Sequence, residues 1–84
     1  MKLIIETYWN KVTPDSSAPF GTRVLPDYEL KGTVTYPDSG WTLDTWKQSV
    51  KARHGFAGFV DGAAKFDLEQ RYGIRSYQLV RLAS

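Results

Sequence analysis

The sequence predicts a single small α+β domain, in which an antiparallel sheet of four or five strands carries one main helix on one face. Three observations lead to this prediction: apolar residues alternate with charged ones near the C-terminus, one central segment has clear helix start and stop signals, and the chain has only 84 residues. A chain of this length fits one domain over residues 1–84. It buries only about 60–65% of the surface that it exposes when unfolded.

A C-terminal β-hairpin is predicted by the stretch from Ala64 to Leu82. Apolar residues such as Phe66 occupy even positions, whereas charged residues such as Asp67 occupy odd positions. A period of two indicates extended chain with one buried and one solvated face. We therefore predict two antiparallel strands that fold back near Gly73. With a loop over residues 73–75, Phe66 would face Leu82 and Leu68 would face Val80.

Helix is the alternative conformation for residues 62–72. Ala, Leu, Glu, Gln and Arg favour helix, and Lys65 and Glu69 would form an i, i+4 pair. A helix would, however, place Phe66 nearly opposite Leu68, and a helix without a single apolar stripe packs poorly on a core. The pattern therefore favours strand over helix.

The first strand is predicted over Lys2 to Trp9. Leu3 and Ile5 share one face, and Ile4 and Tyr8 share the other. Because both faces carry apolar side chains, we expect this strand inside the sheet rather than at its edge.

Residues Asn10 to Gly21 are predicted to form a long loop, because they contain two prolines, Asp15 and two serines and end in glycine. Loops of this length are typically either mobile or functional. In the functional interpretation, Phe20 is an exposed apolar anchor.

The next segment is predicted to contain two strands separated by a turn. Thr22–Leu25 would be a short strand, and Leu25–Tyr28 fits a turn with proline at its second position. Tyr28–Tyr36 alternates as a second strand, in which Gly32 indicates a bulge or a close backbone approach.

The main helix is predicted over Leu43 to His54. Thr42 is a suitable N-cap, with Trp41 and Trp46 placed to form a hydrophobic staple. Gly55 can be the left-handed residue that ends the helix. The expected core-facing stripe is Leu43, Trp46 and Val50. Beyond the helix, the glycine-rich segment Phe56–Gly62 is predicted to be a short strand or a tight crossover.

The residues that most enzymes need are scarce. The chain has no cysteine and only one histidine, His54, which helix capping explains. No zinc site or Ser-His-Asp set can therefore be assembled, and the scattered carboxylates suggest no acid–base pair. We predict a protein that is not an enzyme and uses no cofactor or metal. The chain also has neither a signal peptide nor a membrane-spanning stretch, so the expected location is cytoplasmic.

Three local resemblances involve the C-terminal half. Val60-Asp61 followed by L-E-Q-R-Y-G-I-R-S-Y resembles the second-helix-to-third-strand part of thioredoxins, although Gln78 replaces the family's proline and the cysteine pair is absent. Asp67–Leu82 resembles the helix-turn-helix of bacterial DNA-binding proteins, which would place Arg75, Ser76, Gln78 and Arg81 against DNA. The strand Y-x-L-V-R-L after a glycine turn is similar to the closing hairpin of RelE-type RNA-cleaving toxins. Because the three resemblances imply different conformations for the same residues, we assign no family.

The favoured functional hypothesis is a small non-catalytic protein-binding module, of the kind that a phage or mobile element encodes as an inhibitor. Aromatic and arginine residues are enriched at protein-interface hot spots. The alternatives are nucleic-acid binding, through the helix-turn-helix or a basic strand face, and a small RNA-cleaving toxin. The predicted contact surface comprises Arg71, Arg75, Tyr77 and Arg81, with Phe20 and Trp9 as outlying members.

Overall fold

The computed structural model describes residues 1–84 and contains one antiparallel sheet of five strands with one α-helix on one face. In chain order the elements are β1 (Lys2–Pro14), a 3-10 turn (Pro19–Gly21), β2 (Thr22–Tyr36), α1 (Leu43–Ala52), β3 (Phe56–Val60), β4 (Ala63–Asp67) and β5 (Ser76–Ala83). The order across the sheet is β2-β1-β5-β4-β3. The predicted α+β class is confirmed, as is the interior position of β1.

The hydrophobic core lies between α1 and the centre of the sheet. Trp46 and Val50 of the helix pack with three buried strand residues, Ala64, Phe66 and Val80. Partly buried side chains surround this cluster: Leu3, Ile5, Phe56 and Leu82. The even-numbered face of the C-terminal hairpin is thus buried beside the helix, as the alternation predicted.

Both ends of α1 depend on local hydrogen bonds. Thr42 is the N-cap: its hydroxyl accepts a bond from the Thr45 N–H at 3.3 Å, and the Thr45 hydroxyl accepts one from the Thr42 N–H at 3.1 Å. The helix ends at Ala52, two residues before the predicted His54, because Arg53 is already extended. Gly55 has the predicted left-handed backbone, with a φ of 88°.

Apolar packing of the helix begins one turn later than predicted. Leu43 is 45% exposed and does not join the core, whereas Trp46 and Val50 are each only 2% exposed. The predicted stripe is therefore wrong at its first member and correct at the other two.

The loop prediction for Asn10–Gly21 is wrong over its first half. Strand β1 continues to Pro14, and Val12 lies opposite Val24 in a long β1–β2 hairpin. The tip begins at Asp15, whose carboxylate accepts hydrogen bonds from the Ser17 hydroxyl at 2.7 Å and the Ser17 N–H at 3.0 Å. These two bonds lower the pKa of Asp15.

Strand β2 is continuous, where the sequence predicted a short strand, a turn and a second strand. Two irregularities replace the turn. Residues 25–27 are accommodated opposite Lys11 alone, and Lys31 is an extra residue beside Gly32. Pro26 fits because β2 is an edge strand and the proline lies in a bulge. The bulge predicted at Gly32 is confirmed.

The hairpin of β4 and β5 is confirmed, but its predicted register is wrong. Phe66 lies opposite Gln78 rather than Leu82, and Ala64 lies opposite Val80. The chain reverses at Tyr72–Gly73, where both residues have positive φ, 52° and 76°. This turn comes earlier than the predicted 73–75 loop, so every partner changes.

The observed conformation of Asp67–Leu82 excludes the two resemblances that require helix. Neither the helix-turn-helix nor the helical part of the thioredoxin likeness is present, because β4, the loop and β5 occupy this segment. The segment Phe56–Gly62 is the predicted short strand, β3, followed by a tight turn at Asp61–Gly62 into β4.

Candidate functional site

The helix covers only one end of the sheet. With ten residues, α1 is about 15 Å long, because a helix rises by about 1.5 Å per residue. Strand β1 has 13 residues. At about 3.3 Å per residue it extends for about 43 Å. We call the end that carries α1 proximal and the end that carries the β1–β2 tip distal. On the helix-side face, the distal half of the sheet is therefore left without a covering helix.

Two adjoining clefts lie on that distal half, and Trp9 and Ile74 line both. The first has a volume of about 610 Å³ and is also lined by Thr7, Asn10, Val12, Lys31 and Gly32. The second has a volume of about 470 Å³ and is also lined by Leu68, Glu69, Arg71, Tyr72 and Ser76. We call the two clefts together the Trp9 groove. The Trp9 side chain is 44% exposed between them, so a large aromatic surface is accessible from both sides.

Two exposed aromatic rings meet beside the groove. The rings of Phe20 and Tyr72 pack edge to face, with their centroids 4.9 Å apart. Phe20 belongs to the β1–β2 tip and Tyr72 to the β4–β5 turn, so this contact joins the two tips. Both residues have left-handed backbone, with φ of 64° and 52°. Bulky residues rarely adopt this conformation, and such strain is concentrated at functional sites.

Asn10 fixes the segment that forms one wall of the groove. Its backbone N–H donates to the Arg75 carbonyl at 3.0 Å, and its side-chain oxygen accepts from the Arg75 N–H at 2.9 Å. In a regular ladder the Asn10 carbonyl would accept that second bond. The side chain takes its place where the β1–β2 bulge begins. Asn10 is the one buried polar residue, at 7% exposure.

The opposite, helix-free face of the sheet carries a cluster of tyrosines. Tyr8 and Tyr77 are cross-strand neighbours whose rings stack with centroids 5.1 Å apart, and Tyr28 packs edge-on against Tyr77 at 5.0 Å. The Lys65 ammonium lies 4.9 Å from the centre of the Tyr77 ring. Burial raises the pKa of Tyr77, and Tyr28 raises it further.

An ion pair lies beside the tyrosine cluster. The Arg81 guanidinium contacts the Glu6 carboxylate at 3.0 Å, and the Tyr8 hydroxyl donates to the same carboxylate at 3.2 Å. Burial raises the pKa of Tyr8, and the Glu6 charge adds to that rise. Tyr77 and Arg81 are therefore already engaged by neighbours within the fold.

The structure divides the six predicted contact residues between two faces. Arg75, Tyr77 and Arg81 belong to the helix-free face, where Arg75 and Tyr77 line one shallow cleft. Trp9 and Arg71 line the Trp9 groove, and Phe20 contacts its wall through Tyr72. Sequence reasoning did not single out Tyr72, Ile74 or Asn10. Tyr72 is at an even position of the Ala64–Leu82 stretch, where the alternation predicts a buried side chain, and that prediction is wrong because Tyr72 is 71% exposed.

The structure offers no arrangement typical of a metal centre. No group of three or more His, Asp or Glu side chains comes close enough together to hold a metal ion. His54 follows α1 and is exposed. Helix α1 lacks the length and the apolar character that crossing a membrane requires.

No protein-family model, curated protein or solved structure matches this chain. A function is therefore inferred from the surfaces of this chain alone.

Proposed function

We propose that this protein is a small protein-binding module that engages its partner through the Trp9 groove and the neighbouring Phe20–Tyr72 pair. The observation that supports this proposal is the convergence of exposed aromatic surface at the distal end, outside the core. Trp9, Phe20 and Tyr72 are 44%, 74% and 71% exposed. Tryptophan, tyrosine and arginine dominate interface hot spots, and Arg71 lies in the same groove.

Charge favours a protein partner over nucleic acid at this surface. Of the basic residues that line the groove, Lys31 is already paired with Glu29 at 2.6 Å. The other cleft contains Glu69 beside Arg71, so its charges are mixed. Nucleic-acid affinity depends mainly on basic residues that neutralise phosphates. The eleven basic residues of the chain are nearly balanced by nine acidic ones, which leaves a net charge of only +2.

The cellular role is part of the same proposal. A small module with one aromatic contact surface and no catalytic cluster suits an inhibitor that blocks a partner by occupying it. The cysteine-free sequence is compatible with action in a reducing compartment, and we place this role in the cytoplasm.

The test compares two exposed tryptophans, one inside the groove and one outside it. Trp9 lies in the groove, whereas Trp41 precedes the helix and is 37% exposed. We expect affinity capture from a lysate of the source organism to recover a protein with the wild type and the Trp41→Ala variant. Trp9→Ala should lose it, because truncating a hot-spot residue weakens binding by about 2 kcal/mol or more. Equal recovery by all three proteins would reject the groove as the contact surface.

A second variant separates binding from stability. Tyr72 occupies the first position of a two-residue turn with positive φ at both residues, where asparagine is preferred. Tyr72→Asn should therefore leave the melting temperature near that of the wild type, since easier turn formation offsets the lost ring contact. Binding to the captured partner should fall because the exposed ring is gone. Undiminished binding would remove the aromatic pair from the interface.

Salt dependence distinguishes the nucleic-acid alternative. Phosphate contacts release counterions, so affinity for an RNA or DNA oligonucleotide would fall steeply as salt rises. A gel shift at low salt that disappears at higher salt would support that alternative and count against the protein-binding proposal.

A further inference from the structure

One short stretch of the β2 edge lacks the charges, prolines and bulges that normally protect an exposed strand. Residues 32–36 read G-T-V-T-Y, with no charged residue and no proline, and they pair regularly with β1. An unpaired strand edge is a template for another strand, and proteins usually protect edges with charges, prolines, bulges or short length. The remainder of β2 has Pro26 and charged residues. The other edge strand, β3, has only five residues and is interrupted by a bulge near Gly58.

The hydrogen-bond pattern shows which groups of this stretch are free. The Asn10 backbone N–H donates to the Arg75 carbonyl, and the β1–β5 register has no shift, so even-numbered residues of β1 direct their backbone groups toward β5. Bonding direction alternates along an antiparallel strand, so odd-numbered residues of β1 bond to β2. Ile5 lies opposite Val34, which therefore bonds to β1. The N–H and C=O groups of the flanking residues, Thr33 and Thr35, consequently point away from the sheet.

We propose that two copies of this chain associate by antiparallel pairing of their β2 edges about a two-fold axis at Val34. In this register Thr33 of each copy faces Thr35 of the other copy, so the axis relates two identical pairs. Each such pair can exchange two N–H···O=C bonds through the groups that point outward, and Val34 faces its own counterpart. A second copy supplies a matching edge, because self-pairing about the axis brings the outward groups of Thr33 and Thr35 together and meets no charged residue or proline within residues 32–36. Such an interface is isologous and closes after two subunits.

Side chains support the same register. Val34 and Tyr36 are 51% and 50% exposed, and they lie opposite Ile5 and Leu3, which pack against the core. Pairing would place Tyr36 of one copy over Gly32 of the other, so each ring would cover a position that has no side chain. The apolar face of each domain would thus continue into its neighbour. Pro37, which has no N–H, ends the ladder on one side, and the Lys31 bulge ends it on the other.

The expected dimer is weak, because an interface formed mainly by five residues from each copy belongs to the small, transient class. Sedimentation of the wild-type protein from micromolar to millimolar concentration should show a reversible monomer–dimer equilibrium. Val34→Lys and Val34→Glu should each weaken dimerisation at least about tenfold, since like charges would meet at the axis. An equimolar mixture of the two variants should restore a dimer through a Lys–Glu pair.

Controls make the register testable. Leu30→Lys introduces the same charge on the same strand, at an equally exposed residue (51%) outside the stretch, and should leave dimerisation unchanged. Thr35→Pro removes an outward N–H without removing a bond to β1, and should abolish the dimer even if the Val34 variants fail to fold.

A wild type that stays monomeric at every concentration would overturn the proposal. So would Val34→Lys and Val34→Glu variants that dimerise as the wild type does, or a mixture that stays monomeric. Trp9→Ala should dimerise normally, because Trp9 lies opposite Glu29, outside the paired stretch.

Discussion

The hydrogen bond between Asn10 and Arg75 gives the sharpest test of how the distal half of the fold is held. Replacing Asn10 by leucine keeps the number and branching of the side-chain heavy atoms but removes the side-chain oxygen that accepts the Arg75 N–H at 2.9 Å. Asn10 is buried and the bond to Arg75 is partly buried, so that N–H would lose its partner where water reaches it poorly. An unsatisfied buried donor costs about 1–3 kcal/mol.

The expected effect is local as well as global. We expect Asn10→Leu to lower the free energy of unfolding by about 1–3 kcal/mol. Amide hydrogen exchange at Arg75 should accelerate by about 5–150-fold, since every 1.4 kcal/mol is a factor of ten. Denaturant titration measures the first quantity, and exchange followed by NMR measures the second. Amide exchange at Val80, in the core, should accelerate only by the factor that corresponds to the loss in global free energy of unfolding.

Asn10→Asp is the matched control, because it keeps an oxygen at the same position. Its Arg75 amide should remain protected relative to the core amides, even if the buried carboxylate lowers overall stability. The reasoning would be refuted if Asn10→Leu unfolded at the wild-type denaturant midpoint and its Arg75 amide exchanged at the wild-type rate. In that case the backbone bond at 3.0 Å alone would hold the start of β5.

Two further predictions concern the proximal half and the helix-free face. Gly55→Ala should lower stability by about 1–3 kcal/mol in a thermal melt, because φ is +88° and a Cβ there would lie 2.9 Å from the Asp67 carbonyl oxygen. Tyr8 and Tyr77 have raised pKa values in the folded state, so their stabilising contribution is complete below the unfolded value of about 10 and is lost as pH rises through the folded values. Alkaline titration should therefore show stability decreasing above about pH 10, and Tyr8→Phe should make that decrease shallower; an equally steep loss would contradict this origin.

Sequence reasoning succeeded where a signal is complete within a few residues. The capping threonine, the apolar pair Trp46 and Val50, and the glycine after the helix lie within one short segment, and each is in its predicted conformation. The alternation around Phe66 likewise identified the buried face of the hairpin, because alternation alone determines which side of a strand faces the core.

The failures occurred where strand pairing overrode a local signal. Prolines and serines after Asn10 indicated a loop, yet Val12 and Thr13 pair with residues of β2 and extend β1 to Pro14. The hairpin register depended on the position of its turn, and tyrosine is an unusual residue at the first position of a Tyr72–Gly73 turn. The Asp61–Gly62 turn, in contrast, has the Asp-Gly pair that is a strong hairpin signal, and it could have identified the β3–β4 hairpin beforehand.

The mismatch in length between helix and sheet connects stability with the proposed function. A ten-residue helix can bury only the proximal part of strands that extend more than twice as far. The distal part must therefore be held by strand hydrogen bonds, by Asn10 and by the ring contact of Phe20 with Tyr72. Its apolar side chains remain accessible, because nothing in the fold packs over them. Residues of the distal surface can thus change with little cost to the core, so under the proposed function binding and stability would be separable.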